Sequence, residues 1–232
     1  MAQPRTQLRE GLRAVESIYG LKTGEIELRL PAKKASNMIT SLSQLNPETT
    51  YTYADYLTWK FQERVELLRG FVRKMAAPNR MHQGISGNLS RYFINALWKS
   101  PCKVYIAPFD VRLTRFSKLK NKDVTTVVQP DLCVICDPKK LDERGCIGAP
   151  DLIIEILSPG NSKTEMKDKF DLYEEAGVLE YWVVFPEDKL VQIYKLNDAG
   201  QYIGMRPFVE DDLVTTPIIP NLVVDLKDVF ED

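Results

Sequence analysis

The run "APDLIIEILSPG", residues 149–160, constrains this chain more than any other stretch. Leu152, Ile154 and Ile156 alternate with Ile153 and Leu157, so both faces of an extended segment are apolar. That is the pattern of a central strand covered on both sides. Two acids interrupt it. Asp151, Ile153, Glu155 and Leu157 share one face, and an ionised carboxylate buried there is costly unless it is paired, hydrogen-bonded or bound to a metal. Asp151 lies about 13 Å from Glu155 at roughly 3.3 Å per residue, too far to share an ion with it, and reads as a strand-start or salt-bridge residue. Glu155 is the acid that needs a partner.

Two sources of a partner are in reach. The preceding strand "VVQPDLCVI" carries Asp131 in the same setting, one acid in an apolar run just after a proline. If the two strands are neighbours, Asp131 and Glu155 converge at one end of a sheet, and paired oxygen ligands of this kind suit Mg2+ or Mn2+. The second source is the lysine-rich helix that follows, opened by a capping box from Ser162 to Glu165 and closed by Gly177. Lys169 falls beside its apolar arc of Met166, Phe170 and Tyr173. A desolvated ammonium there calls for an anion, either the acids of the strand beneath or a substrate phosphate. The same residues also read as a satisfied salt-bridge network that fixes strand register, so the residues alone leave metal site and network both open.

The rest of the pattern is mixed α/β. Thr52 or a neighbour caps a helix carrying Ala54, Leu57 and Phe61, and "RVELLRGFVRKM" folds back at Arg69-Gly70 as a hairpin. Asn79 caps a longer helix with Ile85, Leu89, Tyr92 or Phe93, and Ala96 on one side. "CKVYIAPFDVRLT" and "DVTTVVQPDLCVICD" read as two strands, and "DPKKLDERGCIG" as a long turn before the acid-bearing strand. Two more strands and short β pieces close the chain. This order predicts one central mixed β-sheet flanked by helices over residues 49–232. Residues 1–48 read as an N-terminal extension of short helix, strand and polar linker.

Composition narrows function by exclusion. A formal net charge of −1 gives no global basic field, so any nucleic-acid contact needs a local patch. "RLTRFSKLKNKD" reads equally as a solvated loop or as such a patch, with Arg112, Arg115, Lys118 and Lys120 as candidate phosphate contacts and an Asp110–Arg112 pair at its base. No apolar run reaches the roughly 20 residues that span a bilayer, and no secretory core opens the chain. A cytoplasmic protein with no membrane partner is expected. His82 is the only histidine, which makes a Ser-His-Asp triad a poor fit. Cys133 and Cys136 point to opposite faces of a strand and cannot grip one zinc, so the cysteines, Cys102 and Cys146 included, read as buried free thiols.

Pro130-Asp131, with Glu155-Ile156-Leu157 on the next strand, resembles the PD-(D/E)XK pattern of restriction-endonuclease-like nucleases. "VELLRGFVRKMAAPNRMHQGI", "VVQPDLCVI" and "PDLIIEILSPGNSKTEMKDKFDLYEEAGVLEYWVV" are similar to one branch, the bacterial Uma-two family of proposed restriction endonucleases, across about residues 50–230. The resemblance implies a restriction-endonuclease-like core and Mg2+- or Mn2+-dependent hydrolysis of DNA. Asp131 and Glu155 would be metal ligands, the Ile156 carbonyl an extra one, and Glu66 a further catalytic acid. Leu157 stands where the pattern has its lysine, and Lys169 takes that place from the helix. His82 matches a family position and is a candidate substrate contact at the mouth of the site or a capping and hydrogen-bonding residue. Tyr173, one turn after Lys169, reads as core with its hydroxyl towards the site, and a homodimer follows by analogy. The alternative is the same fold without activity, a nucleic-acid-binding, regulatory or structural protein, for which the near-neutral charge and missing in-strand lysine leave room.

Overall fold

The computed structural model describes residues 38–114, 119–159 and 163–231. Its first hairpin forms where the sequence places it. Strands β1 (Val65–Leu68) and β2 (Phe71–Lys74) turn at Arg69 and Gly70, whose φ angles of 53° and 88° are the two left-handed positions that a two-residue turn requires. Ahead of it Thr52 caps α1 by accepting from the Asp55 N–H, but α1 is a single turn, Tyr53–Tyr56, and Tyr53 is its buried residue. Leu57 is exposed and Phe61 lies beyond the helix. Helix α2 (Arg80–Ala96) is capped by Asn79 and buries Ile85, Leu89 and Phe93.

Two prolines then redirect the chain. The segment read as one strand after α2 is two, β3 (Lys103–Ile106) and β4 (Val111–Arg112), parted around Pro108 and placed in different sheets. The next is divided in the same way at Pro130, into β5 (Val127–Val128) and β6 (Leu132–Ile135). Proline has no N–H for a ladder, so each segment leaves one sheet at its proline and joins the other. The expected long turn contains a small hairpin, β7 (Leu141–Asp142) and β8 (Gly145–Ile147). There follow β9 (Leu152–Ile156), helix α3 (Lys163–Ala176), β10 (Glu180–Phe185) and β11 (Leu190–Leu196). Short strands β12 (Tyr202–Gly204), β13 (Phe208–Val209), β14 (Leu213–Thr215) and β15 (Val223–Asp225) lead to helix α4 (Leu226–Phe230).

Among the described residues the main sheet runs β12-β11-β10-β9-β6-β3, with β13 added on β11. It is mixed: β9 and β10 are parallel, while β6–β9, β3–β6 and β10–β11 are antiparallel. A second sheet, β2-β1-β5-β4-β8-β7, takes the other half of each divided segment. Strand β9 is central and buried throughout. Leu152, Ile154 and Ile156 pack with Ile85, Leu89 and Phe93 of α2 and with Trp182. Ile153 packs on the opposite face with Leu172 and Tyr173 of α3, Tyr181 and Val183. Each such side chain contributes about 1.5–3 kcal/mol on burial, which fixes the sheet's register: a one-residue slip would put Glu155 into the α2 face. The mixed α/β class with a central mixed sheet is as the element order predicts, but the described residues form a second large sheet where one sheet was expected.

One expectation is overturned by strand order. Cys102 and Cys136 form a disulfide, while Cys133 and Cys146 remain buried free thiols. The pair stands one register step beyond Lys103 and Ile135 on β3 and β6, a juxtaposition that appears only once those strands are known to be neighbours. In the stretch read as linker, Ile39, Leu42 and Leu45 pack against the cluster around Tyr53 and Trp59. The expected N-terminal helix and strand, the Ser162 cap, Arg115 and Lys118 lie outside the described residues. No helix among the described residues is long and apolar enough to cross a membrane.

Candidate active site

Antiparallel pairing of β6 and β9 sets Leu132 opposite Ile154, so one step further Asp131 stands opposite Glu155 on the same face. Pro130 then faces Ile156. The Asp131 side chain takes the Ile156 N–H instead, at 2.8 Å to Oδ2. On the same oxygen it meets His82, whose Nε2 lies 3.2 Å away at the start of α2. Asn79, which accepts from the His82 N–H at 2.8 Å, holds that helix start in place. Nε2 must carry a proton to face a carboxylate oxygen, and His82 Nδ1 is buried with no hydrogen-bond partner among the described residues.

Glu155 is served from α3. Lys169 and Tyr173 lie one helical turn apart, so their side chains leave the same side of the helix. Both reach Oε1 of Glu155, the ammonium at 2.9 Å and the hydroxyl at 2.5 Å. Lys169 also stands 3.3 Å from Glu66 on β1, whose Oε1 accepts the Gln129 N–H at 2.8 Å. Glu66, Glu155, Lys169 and His82 are each more than nine-tenths buried. Burial pushes the Glu155 carboxyl up to about 7, against the pull of Lys169, and the charges of Asp131 and Glu66 push the same way as burial. Burial would lower Lys169, but Glu155 and Glu66 outweigh it and hold the ammonium charged. Burial and those two acids hold the Tyr173 hydroxyl well above its ordinary range, so it stays a donor. His82 is raised too: burial disfavours its imidazolium, and Asp131 outweighs that.

The residues converge on a cleft of about 110 Å3, walled by Glu66, His82, Asp131, Glu155, Ile156 and Lys169 together with Arg64 and Ser158. A larger cavity of about 570 Å3, lined by Met81, Lys189, Lys227 and Asp228 among others, holds none of these acids. A family model described as "putative restriction endonuclease", Uma2, matches residues 53–227 and so spans every element of the cleft. The chain belongs to the Uma2 family. A Synechocystis sp. protein described as uncharacterized is 26% identical over 186 residues, covering 79% of this chain and 90% of that protein. The crystal structure of a "putative nuclease belonging to DUF820" from Anabaena variabilis matches with a TM-score of 0.61 at 21% identity, covering 78% of this chain and 97% of that one. At that identity the likeness shows a shared fold, that of a nuclease-like neighbour.

In this Uma2 chain the other expected site residues are placed unequally. Ile156 lines the cleft with its N–H given to Asp131. Lys120 is exposed beside a 3-10 turn, Asn121–Asp123. Arg112 is a correction: it is 2% exposed, pairs with Asp142 at 2.6 Å rather than with Asp110, and lies over the Tyr53 ring. That guanidinium presents no surface to a substrate phosphate, because β4 belongs to the second sheet and both its faces are covered. Asp110 instead accepts the hydroxyls of Tyr53 and Tyr56. Two residues of the neighbourhood escaped sequence reading, Arg64 and Gln129. The signal for the second was present: Gln129 is another polar residue in an apolar run, two places before Asp131.

Proposed function

We propose that the chain is a metal-dependent endonuclease that hydrolyses phosphodiester bonds in DNA. One observation carries the reading: Asp131 and Glu155 face each other from adjacent strands, and the cation of α3 enters between Glu155 and Glu66. Lys169 is matched by Glu155 and Glu66, whereas among the described residues Asp131 has only the His82 imidazole within ion-pairing distance, so a buried carboxylate is left for a further cation. The family description and the nuclease-like fold support the same direction.

The donor set fits a hard divalent ion of limited demands. Among the described residues no group of three or more His, Cys, Asp or Glu is arranged to hold a metal ion, so there is no all-protein cage. Mg2+ is commonly held by one or two carboxylates, with water and substrate phosphates completing its shell. Asp131 and Glu155 meet that need: each is oriented through one oxygen, Oδ2 and Oε1, by the neighbours described above. The Ile156 carbonyl is a further oxygen donor on the same strand. When bound there, the ion supplies Lewis-acid activation of water and neutralises phosphate charge. Lys169 orients the attacking water or stabilises charge that develops on the phosphate, and Tyr173 keeps Glu155 in position. Glu66 holds Lys169 from the other side. His82 steadies Asp131.

The test is calorimetric titration of Mn2+ into the wild-type protein and Asp131→Ala, with plasmid nicking by the same samples. Binding and nicking by the wild type, both lost in the variant, are expected. A wild type that binds no Mn2+ and leaves the plasmid intact would assign these acids to the inactive alternative, a buried network that fixes register.

A further inference from the structure

The cleft holds a second cation built differently from Lys169. Arg64 lines the same wall, one residue before β1. Its guanidinium meets a neutral group: Nε and Nη2 both donate to Oε1 of Gln129, at 3.0 and 2.8 Å. Gln129 is 8% exposed and is fixed on every side. Its N–H donates to Glu66 at 2.8 Å, and its Nε2 donates to Asp110 at 2.8 Å and to the Tyr56 hydroxyl at 3.2 Å. Those bonds leave its carbonyl oxygen a single direction, towards Arg64. Among the described residues Arg64 has no carboxylate within ion-pairing distance, and its Nη1 makes no hydrogen bond, although three acids line the same cleft.

We infer that Arg64 binds a backbone phosphate of the nucleic acid beside the bond to be cut, and that Gln129 is its positioning residue. The inference rests on the nuclease reading. A planar guanidinium matches phosphate oxygens better than any other side chain, and binding is strongest when its charge is not already matched. A neutral amide is the holder that leaves the charge whole. It also keeps the guanidinium from swinging onto Glu66 or Asp131, which would quench both the cation and the acids. The charge of Lys169 is already shared with its two glutamates, whereas Arg64 brings an unmatched charge to the substrate.

The experiment uses a fluorescein-labelled DNA duplex, with anisotropy read in Ca2+ over a salt series, alongside plasmid nicking in Mg2+. Arg64→Met is expected to weaken binding about ten- to a hundredfold, the worth of a charge-assisted hydrogen bond. The slope of log affinity against log salt should fall by about one phosphate contact. Arg64→Lys keeps the salt slope while losing part of the affinity, and its charge-preserving change guards against a variant that merely fails to fold. Gln129→Leu lowers binding and nicking in the wild-type background and adds nothing in the Arg64→Met background, because its effect passes through Arg64. A purely structural Gln129 would cost the same in both backgrounds, and that result overturns the positioning role. Arg64→Met that binds and nicks like a nicking wild type overturns the inference and leaves the nuclease reading standing. A wild type that neither binds nor nicks defeats the nuclease reading, and the inference with it.

Discussion

Lys169→Met is expected to cost about 3–5 kcal/mol of stability and to lower plasmid nicking at least about a hundredfold. The ammonium lies 2.9 Å from Glu155 and 3.3 Å from Glu66, in a site where all three groups are buried. Removing it leaves two carboxylates in a low-dielectric pocket with their common cation gone. Coulomb repulsion and desolvation then act together, and the chain must either hold stranded charge or take up a proton. The double variant Lys169→Met, Glu155→Gln should recover much of the lost stability, since one stranded charge goes with the second change. It should not recover nicking. Urea unfolding of wild type, both single variants and the double variant measures the coupling, and supercoiled plasmid reports activity. A Lys169→Met protein that unfolds like wild type would contradict the buried pair. One that nicks like wild type would remove Lys169 from the chemistry.

What the sequence made legible was local. Period two placed Glu155 on the face of Ile153 and Leu157, and the helical arc placed Lys169 with Phe170 and Tyr173; both placements need only a residue's neighbours along the chain. The opposition of Asp131 and Glu155 needed one further fact, that β6 and β9 adjoin, and the sequence offered it only as a condition. Where two sheets compete for one segment the reading failed. Arg112 looked like the base of an exposed basic loop because a single sheet was expected, which left one face of its strand for solvent. The structure places that strand inside a second sheet, buries it, and turns the arginine inward to Asp142. The Cys102–Cys136 bond and the hold of Gln129 on Arg64 belong to the same class. Each joins residues far apart in the chain, and no spacing along the chain announces such a contact.

Glu155→Gln is expected to abolish nicking while leaving stability at pH 8 unchanged or higher, the opposite of the lysine substitution. The carboxyl is raised from 4.5 to about 7, by burial first, with Lys169 opposing and the Asp131 and Glu66 charges adding. The folded chain therefore holds this proton more tightly than the unfolded chain does. The contribution to stability is complete below pH 4.5 and is lost as the pH rises to about 7. Glutamine keeps the shape, and its carbonyl oxygen still accepts from Tyr173 and Lys169, but it does not ionise. The difference in unfolding free energy should then move in the variant's favour between pH 5 and pH 8. A divalent ion competes with the same proton. Mg2+ should raise the wild-type Tm more at pH 8 than at pH 5.5 and leave Glu155→Gln unmoved. Thermal unfolding of both proteins at the two pH values, with and without Mg2+, reads all of this at once. A wild type indifferent to Mg2+, together with a variant that loses several kcal/mol at pH 8, would make Glu155 a strut of the sheet. The two substitutions separate the readings because they treat charge differently. A cation site keeps its stability when the glutamate becomes neutral and loses it when the lysine goes, whereas an ion pair that locks register suffers comparably from either.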